Sequence, residues 1–482
     1  MKIHESFKTM FLIFEICFYL FTYQFYMQIE RGVIINDIQG KNAFSAINDS
    51  ISYNISLINH VESLYYKKDV LPCMNGNNTI RCYSPQEIYN AYNINSLLRR
   101  HIDGKNIKIV IIAAFQDPTI LEDLQNFDYT FELNNPKINI IAPFGTTPFN
   151  PHDMNQVDFA IEIAVDVEWA HAIAPAATIK LVLAHPTDES VYGQFIAIQK
   201  VTKYAVDHNL GDIISQSFGI GETCLSKQEL LDEHSVFIKA TKEHITLLAA
   251  SGDSGAATTN CQNSLPITER GVNFPASDPL VTAVGGTRLS LKDSHYLNET
   301  AWNDPNSYDI GATAGGFSLI FRLPGYQRHL APFTSYRGVP DVSYDADITT
   351  GFPVIFGATG TPLLLTEGGT SLGSPQWAGI IALADQLAGR RLGFLNNAFY
   401  QLSQTISSTQ VFHDVIQGNN NVLLQGNTDY SVFISGYKEN IGWNPVTGLG
   451  TPNVANLLPR LIKLVRSNDG ENIAKTSLEY LQ

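Results

Sequence analysis

The chain has 482 residues and a formal charge of -15, from 31 Lys and Arg against 46 Asp and Glu. No basic run is long enough to track a phosphate backbone, which argues against nucleic acid as a partner. The hydrophobic share is 44% and the charged share 16%, with 26 Phe and 21 Tyr, so the chain buries a large core and is not a disordered tail.

At the amino terminus Lys2 and Lys8 precede an apolar stretch from Met10 to Met27, broken by Glu15. That is the layout of an export signal. No small-x-small cleavage site follows, so residues 1–27 read equally as a retained membrane anchor, with Glu15 costing a few kcal/mol at a bilayer centre. The polar residues 28–72 read as a short pro-segment or linker. Cys17 lies in the export segment, leaving Cys73 with Cys82 and Cys224 with Cys261 as two candidate disulfides, which fits a secreted or extracellular chain. The sequence has no C-x-x-C pair that would point to zinc or redox chemistry. Glycosylation sequons begin at Asn48, Asn54, Asn77 and Asn298.

Alternating elements begin after Cys82. "YSPQEIYNAYNI" reads as a short helix, and Lys105 to Phe115, "KNIKIVIIAAF", as a buried strand because its aliphatics are consecutive and β-branched. Residues 158–172 read as helix, "ATIKLVLA" as strand, 189–208 as helix, "GDIISQSFG" as a strand ending in a loop, 226–243 as helix, and "ITLLAASGDSG" as a strand running into a glycine-rich loop. Such alternation predicts an α/β, mainly parallel, doubly wound sheet. Ligand sites in these sheets collect beyond the carboxyl ends of the strands, which places Ser217, Asp253 and the loop before Ser371 on one rim.

In the helix from Asp158 to Ala177, Glu162 and Asp166 are four residues apart and share a face. Ile161, Ile163, Ala164, Val165 and Val167 surround them with apolar bulk, so a buried pair sharing a proton is expected, with one pKa raised. A general base working in acid has this requirement. Asp253 follows an apolar strand among glycines. Ser371 follows Gly368, Gly369 and Thr370, and Pro375 marks the start of a helix whose N-terminus faces the serine. His171 lies nine positions past Glu162, about two and a half turns away, and reads as structural.

"GGTSLGSPQWAG" resembles the serine motif shared by subtilisins and sedolisins, the serine-carboxyl peptidases. The subtilisin D-[ST]-G turn, helix-opening His and oxyanion Asn have no counterpart. Instead "AAFQDPT" ends the first strand, the helix carries Glu162 and Asp166, and the oxyanion loop holds Asp253, as in sedolisins. "GVNFPASDPLVTAVGGT", "GGFS", "RGVPDVSYDAD" and "GWNPVTGLGTPN" extend the resemblance from about Cys82 to Leu464.

The resemblance implies a subtilisin-like fold and an acid-active peptidase, endopeptidase or tripeptidyl peptidase, with a peptidase domain over 73–465 and a tail over 466–482. It implies Ser371 as nucleophile, Glu162 as base, Asp166 as its support and Asp253 as oxyanion donor. Protein or peptide is the implied substrate, and a monomer the implied state. One calcium ion is implied at Asp414, at the carbonyls of Val415, Asn440 and Gly442, and at Asn444, whose amide oxygen stands where relatives carry a second carboxylate. Two positions depart from many bacterial members: Ala113 and Phe218 stand where those carry Glu and Trp, removing an extended proton relay. A non-catalytic binding module on the same scaffold, or a subtilisin-type neutral protease, is the alternative reading.

Overall fold

The computed structural model describes residues 73, 81–188, 190–259, 261, 266–304, 311–328, 334–405, 408–425 and 431–468. The expected export segment, the segment 28–72, the first three sequons and most of the expected tail lie outside the described residues. Among those described, no helix is long and apolar enough to cross a membrane.

The first helix, α1 (Pro85–Ala91), starts on a capping box in which Ser84 and Glu87 exchange side-chain and backbone hydrogen bonds. Strand β1 (Lys108–Ala114) is buried from its second residue onward. It lies between β3 (Thr178–Ala184) and β4 (Ile213–Gln216), parallel to both. The eight-stranded sheet continues outward through β2 (Lys137–Ile141) beyond β3, and through β5 (Thr246–Ala250), β6 (Thr282–Lys292) and the antiparallel β7 (His295–Ala301) beyond β4. Strand β8 (Val342–Asp345) pairs in parallel with β6.

Successive side chains of a strand point to opposite faces, so an aliphatic run such as β1 requires cover on both. Val110, Ile112 and Ala114 pack against Phe195, Ile198 and Val201 of α4 (Val191–Asp207) and Val236, Phe237 and Ala240 of α5 (Lys227–Lys242). Against the other face lie α3 (Met154–Ile173) and α6 (Gly373–Ala388). These two helices touch closely: a Cβ on Gly379 of α6 would fall 2.6 Å from Cβ of Ile173, so only glycine permits the contact. Trp169 of α3 donates its indole N–H to the Pro353 carbonyl (3.1 Å) on β9 (Phe352–Phe356), which forms a hairpin with β10 (Leu363–Glu367). The last helix, α7 (Val454–Asn468), runs past position 465.

Both expected disulfides are present, Cys73–Cys82 and Cys224–Cys261. Helix α2 (Ile120–Phe131) and strand β2 are not anticipated by the sequence reading. The segment between β6 and β10 also departs from simple alternation, because it folds into short antiparallel pairs instead of βα units.

Buried carboxyls recur away from the glycine-rich loops. Burial pushes Asp117 up to about 7 and Asp123 up to about 6, and Glu168 well above the carboxylate range. The charged groups acting on these three are other carboxyls: Asp123 on Asp117, Glu122 on Asp123, and Asp117, Asp123 and Asp128 on Glu168. Because the folded pKa values exceed the unfolded ones, the folded state holds more protons between about pH 4 and 7, and stability is lost as pH rises through that window. A Ser371→Ala protein, which cannot digest itself if Ser371 is the nucleophile, is therefore expected to melt several degrees lower at about pH 8 than at about pH 5. A flat melting temperature across that range would contradict this account.

Candidate active site

Helix α3 is buried on almost every side from Ile163 to Ile173, which places its polar residues where water cannot screen them. Glu162 and Asp166 occupy successive turns of one face. Burial is the main cause that raises both carboxyls, and the neighbouring Asp166 charge raises Glu162 further. One oxygen of each, Oε1 of Glu162 and Oδ2 of Asp166, is buried with no hydrogen-bond donor. Two buried neighbouring carboxyls resist carrying charge together, so the pair is expected to retain a proton. The remaining Asp166 oxygen, Oδ1, accepts from the Ser217 hydroxyl at 2.6 Å.

Ser371 sits in a single 3-10 turn, Thr370–Leu372, immediately before α6, and is half-buried like Glu162. Its hydroxyl lies near enough to Glu162 to oppose the rise that burial imposes on that carboxyl. The turn is anchored behind the serine by a buried contact of 2.8 Å between Ser215 Oγ of β4 and Ser374 Oγ of α6. Asp253 approaches from the loop after β5. Its Oδ1 accepts from both the backbone N–H and the hydroxyl of Thr370, each at 2.8 Å. That leaves Oδ2 to carry a proton, and burial raises the carboxyl in the direction that favours one. Gly369 makes the approach possible: its φ is 105°, and a Cβ there would meet Asp253 Oδ2 at 2.8 Å. The loop carrying Asp253 is held by Ala312 N–H on the Asp253 carbonyl (3.0 Å) and Ala314 N–H on the Gly252 carbonyl (2.8 Å). A hydroxyl facing a proton-sharing carboxyl pair, with a second carboxyl opposite it, can form and resolve an acyl intermediate.

The subtilase family profile matches residues 151–428. Kumamolisin of Bacillus sp. (strain MN-32) is 32% identical over 387 residues, covering 79% of this chain and 64% of that protein. Sedolisin of Pseudomonas sp. (strain 101) is 29% identical over 401 residues, 81% of this chain and 62% of that protein. The solved structure of Pseudomonas sedolisin, a serine-carboxyl proteinase complexed with pseudo-iodotyrostatin, superposes with a TM-score of 0.67 at 27% identity, covering 81% of this chain and 100% of that one. The chain belongs to the subtilase family, in its sedolisin branch. It spans less than two thirds of the length of these curated relatives.

Among the sedolisin positions, the structure brings Glu162, Asp166, Asp253 and Ser371 together. His171 stays apart, with Nε2 2.9 Å from Asp128 Oδ1 and both side chains buried. Ala113 is buried in β1, and Phe218 packs edge-on against Phe195, so neither position supplies a polar group to extend the relay. Sequence reasoning passed over two further acids. Asp158 lies one turn before Glu162 on the same face, and Glu367 ends β10; burial raises Glu367 to about 7, and its charge acts on Glu162. The i, i+4, i+8 spacing of Asp158, Glu162 and Asp166 was the available signal.

The residues expected to hold calcium are near one another but do not fit it. Asp414 accepts the Gly442 N–H on both oxygens, at 3.2 and 3.0 Å. Val415 follows with its side chain buried. Asn444 spends its amide oxygen on the N–H groups of Val446 and Thr447, both at 3.0 Å, and turns its NH2 toward the carbonyls of Asn440 and Gly442, both at 3.4 Å. A calcium ion needs those carbonyl oxygens and a further oxygen where the NH2 stands. Turning the amide over would set NH2 against two backbone N–H donors. The expectation that Asn444 offers an oxygen is therefore corrected: its oxygen is already committed. Glu439, which sequence reasoning missed, adds a buried oxygen with no partner beside this loop.

Gly369→Ala would force a side chain into a conformation that only glycine adopts readily and against Asp253. It is expected to lower unfolding free energy by about 1–3 kcal/mol, read from the denaturant midpoint. An unchanged midpoint would contradict the contact with Asp253.

Proposed function

We propose that this chain is an acid-active serine-carboxyl peptidase that cleaves peptide bonds in proteins or peptides through an acyl-enzyme on Ser371. The observation that carries the reading is the placement of Ser371 beside a buried carboxyl pair, with Asp253 held by Thr370, the residue before the serine. In the proposed reaction Glu162, with the shared proton resting on Asp166, takes the hydroxyl proton as Ser371 Oγ bonds to the scissile carbonyl carbon. Protonated Asp253 donates to the oxygen that becomes negative. Glu162 then returns its proton to the leaving amine, and a water molecule repeats the sequence on the acyl-enzyme. The two disulfides and the need for a protonated Asp253 support secretion into an acidic, oxidising compartment. Relatives include rat tripeptidyl-peptidase 1, 32% identical over 63% of this chain. Sequencing the products from an unfolded protein separates internal cleavage from removal of tripeptides.

An ordinary Asp, with a pKa of about 3.9, would be ionised at neutral pH and would repel the oxyanion. The rate is thus expected to fall as pH rises through the raised pKa of Asp253, and to fall on the acid side as the carboxyl pair takes up a second proton and Glu162 can no longer accept one, giving a bell. Losing one oxyanion donor costs roughly 100- to 1000-fold, so the alkaline limb should be steep. Asp253→Asn supplies a donor at every pH and should keep a larger fraction of its own optimum at about pH 7 than the parent does. Ser371→Ala should abolish hydrolysis. A parent optimum at neutral pH, or an unchanged alkaline limb in Asp253→Asn, would overturn the role given to Asp253. Residual Ser371→Ala activity equal to the parent's would overturn the reading as a whole.

For the loop at Asp414 we propose closure by the Asn444 amide in place of a metal ion. Chelator and millimolar calcium are each expected to leave the melting temperature of the parent within about one degree. Asn444→Asp, which replaces the inward NH2 by an oxygen, should create a calcium-dependent rise. A parent that is strongly destabilised by chelator would refute this closure.

A further inference from the structure

Ser217 is the first residue beyond β4, and it is buried. Its hydroxyl oxygen lies 2.6 Å from Asp166 Oδ1 and 3.2 Å from the main-chain carbonyl oxygen of Ser371. Both neighbours accept, and a serine hydroxyl has one hydrogen, so it can serve only one of them at a time. The choice depends on the proton of the carboxyl pair. While Asp166 Oδ1 carries negative charge, the charge-assisted bond to the carboxylate wins. When Oδ1 itself carries the proton, Asp166 donates to Ser217 Oγ, and the Ser217 hydrogen is free to turn to the Ser371 carbonyl. Beyond the proton that arrives on Oδ1, no atom leaves its residue: the Ser217–Asp166 bond reverses direction, and the Ser217 bond to the Ser371 carbonyl forms.

We infer that Ser217 is a positioning residue that couples the charge of the Glu162–Asp166 pair to the backbone of the nucleophile. The inference rests on the proposed peptidase reading for its kinetic consequences, and on geometry alone for the linkage. Three contacts converge on it. Asp166 Oδ2 is buried with no donor, so Ser217 is the side chain that holds the other oxygen. The Ser371 turn is tied to the Asp253 loop through Thr370, and Ser217 ties its backbone to Asp166 of the carboxyl pair. Finally, Ala113 and Phe218 bring no polar side chain to the positions where the family's longer relay would continue, and Asp166 is bonded to Ser217.

Removing the hydroxyl should raise the pKa of the pair, because a donor to a carboxylate favours its charged form. Ser217→Ala is therefore expected to move the acid limb of the kcat profile up by about one pH unit and to lower kcat by roughly 10- to 100-fold, with KM changed less than about threefold. Ser217→Thr, which keeps a hydroxyl, should restore the limb to within about 0.3 units of the parent and most of the rate. A second measurement does not depend on turnover. Carbon-13 NMR titration of the Asp166 carboxyl, assigned by loss of its signal in Asp166→Asn, should show a higher midpoint in Ser217→Ala/Ser371→Ala than in Ser371→Ala. An unmoved midpoint overturns the inference, as does a rate loss that is equal at every pH and not rescued by threonine. A parent without peptidase activity whose Asp166 midpoint still moves would refute the proposed function and leave the linkage standing.

Discussion

Two carboxyl groups held four residues apart inside a helix that is buried on nearly all sides cannot both be charged. That constraint on Glu162 and Asp166 organises the rest of the molecule. A solvated pair would ionise near pH 4 and lose the proton that a buried pair retains. The pair needs low polarity around it, and the fold supplies this in layers: the parallel sheet beneath α3, the closely packed α6 beside it, and the β9–β10 hairpin gripping Trp169. Burial, the dominant cause of the raised pKa values, is a property of the architecture and not of any single neighbour.

The opposing carboxyl is treated differently. Asp253 sits on a loop, open enough to reach a substrate, and one of its oxygens is tied to two donors of Thr370. Those two bonds favour the charged form, while burial favours the neutral one and prevails. Holding one oxygen fixes where the other points. Thr370 thus orients Asp253 and, through its hydroxyl, receives the Gly252 N–H at 3.0 Å, which ties the loop after β5 to the turn that carries Ser371.

Much of this was legible in the sequence. The consecutive β-branched aliphatics of β1 and β3 specify buried parallel strands, and Ser84, Ser190 and Ser226 mark helix starts by capping chemistry that acts locally. Glu162 and Asp166 stood out because charge within an apolar helix is rare and has a physical meaning. Other features depend on contacts that are distant along the chain. Glu367 is 205 positions from Glu162, and Asn444 could be identified as an oxygen donor only until its bonds to Val446 and Thr447 were known. The segment between β6 and β10 was unreadable for a similar reason: strands of two to seven residues, such as Asn303–Asp304 and Gly316–Arg322, are too short to show a period, and their pairing is decided by partners elsewhere in the fold.

The contact between Gly379 of α6 and Ile173 of α3 has a bearing on how such a scaffold can diversify. Glu162 is carried on one of these helices and Ser371 stands at the head of the other, so the distance between them is set by helix packing in the core and not by any surface loop. Phe218 and Gly219, on the loop after β4, lie outside that packing. Selection can therefore rebuild the walls of the cleft, exchanging one substrate preference for another, while the chemical step is inherited unchanged.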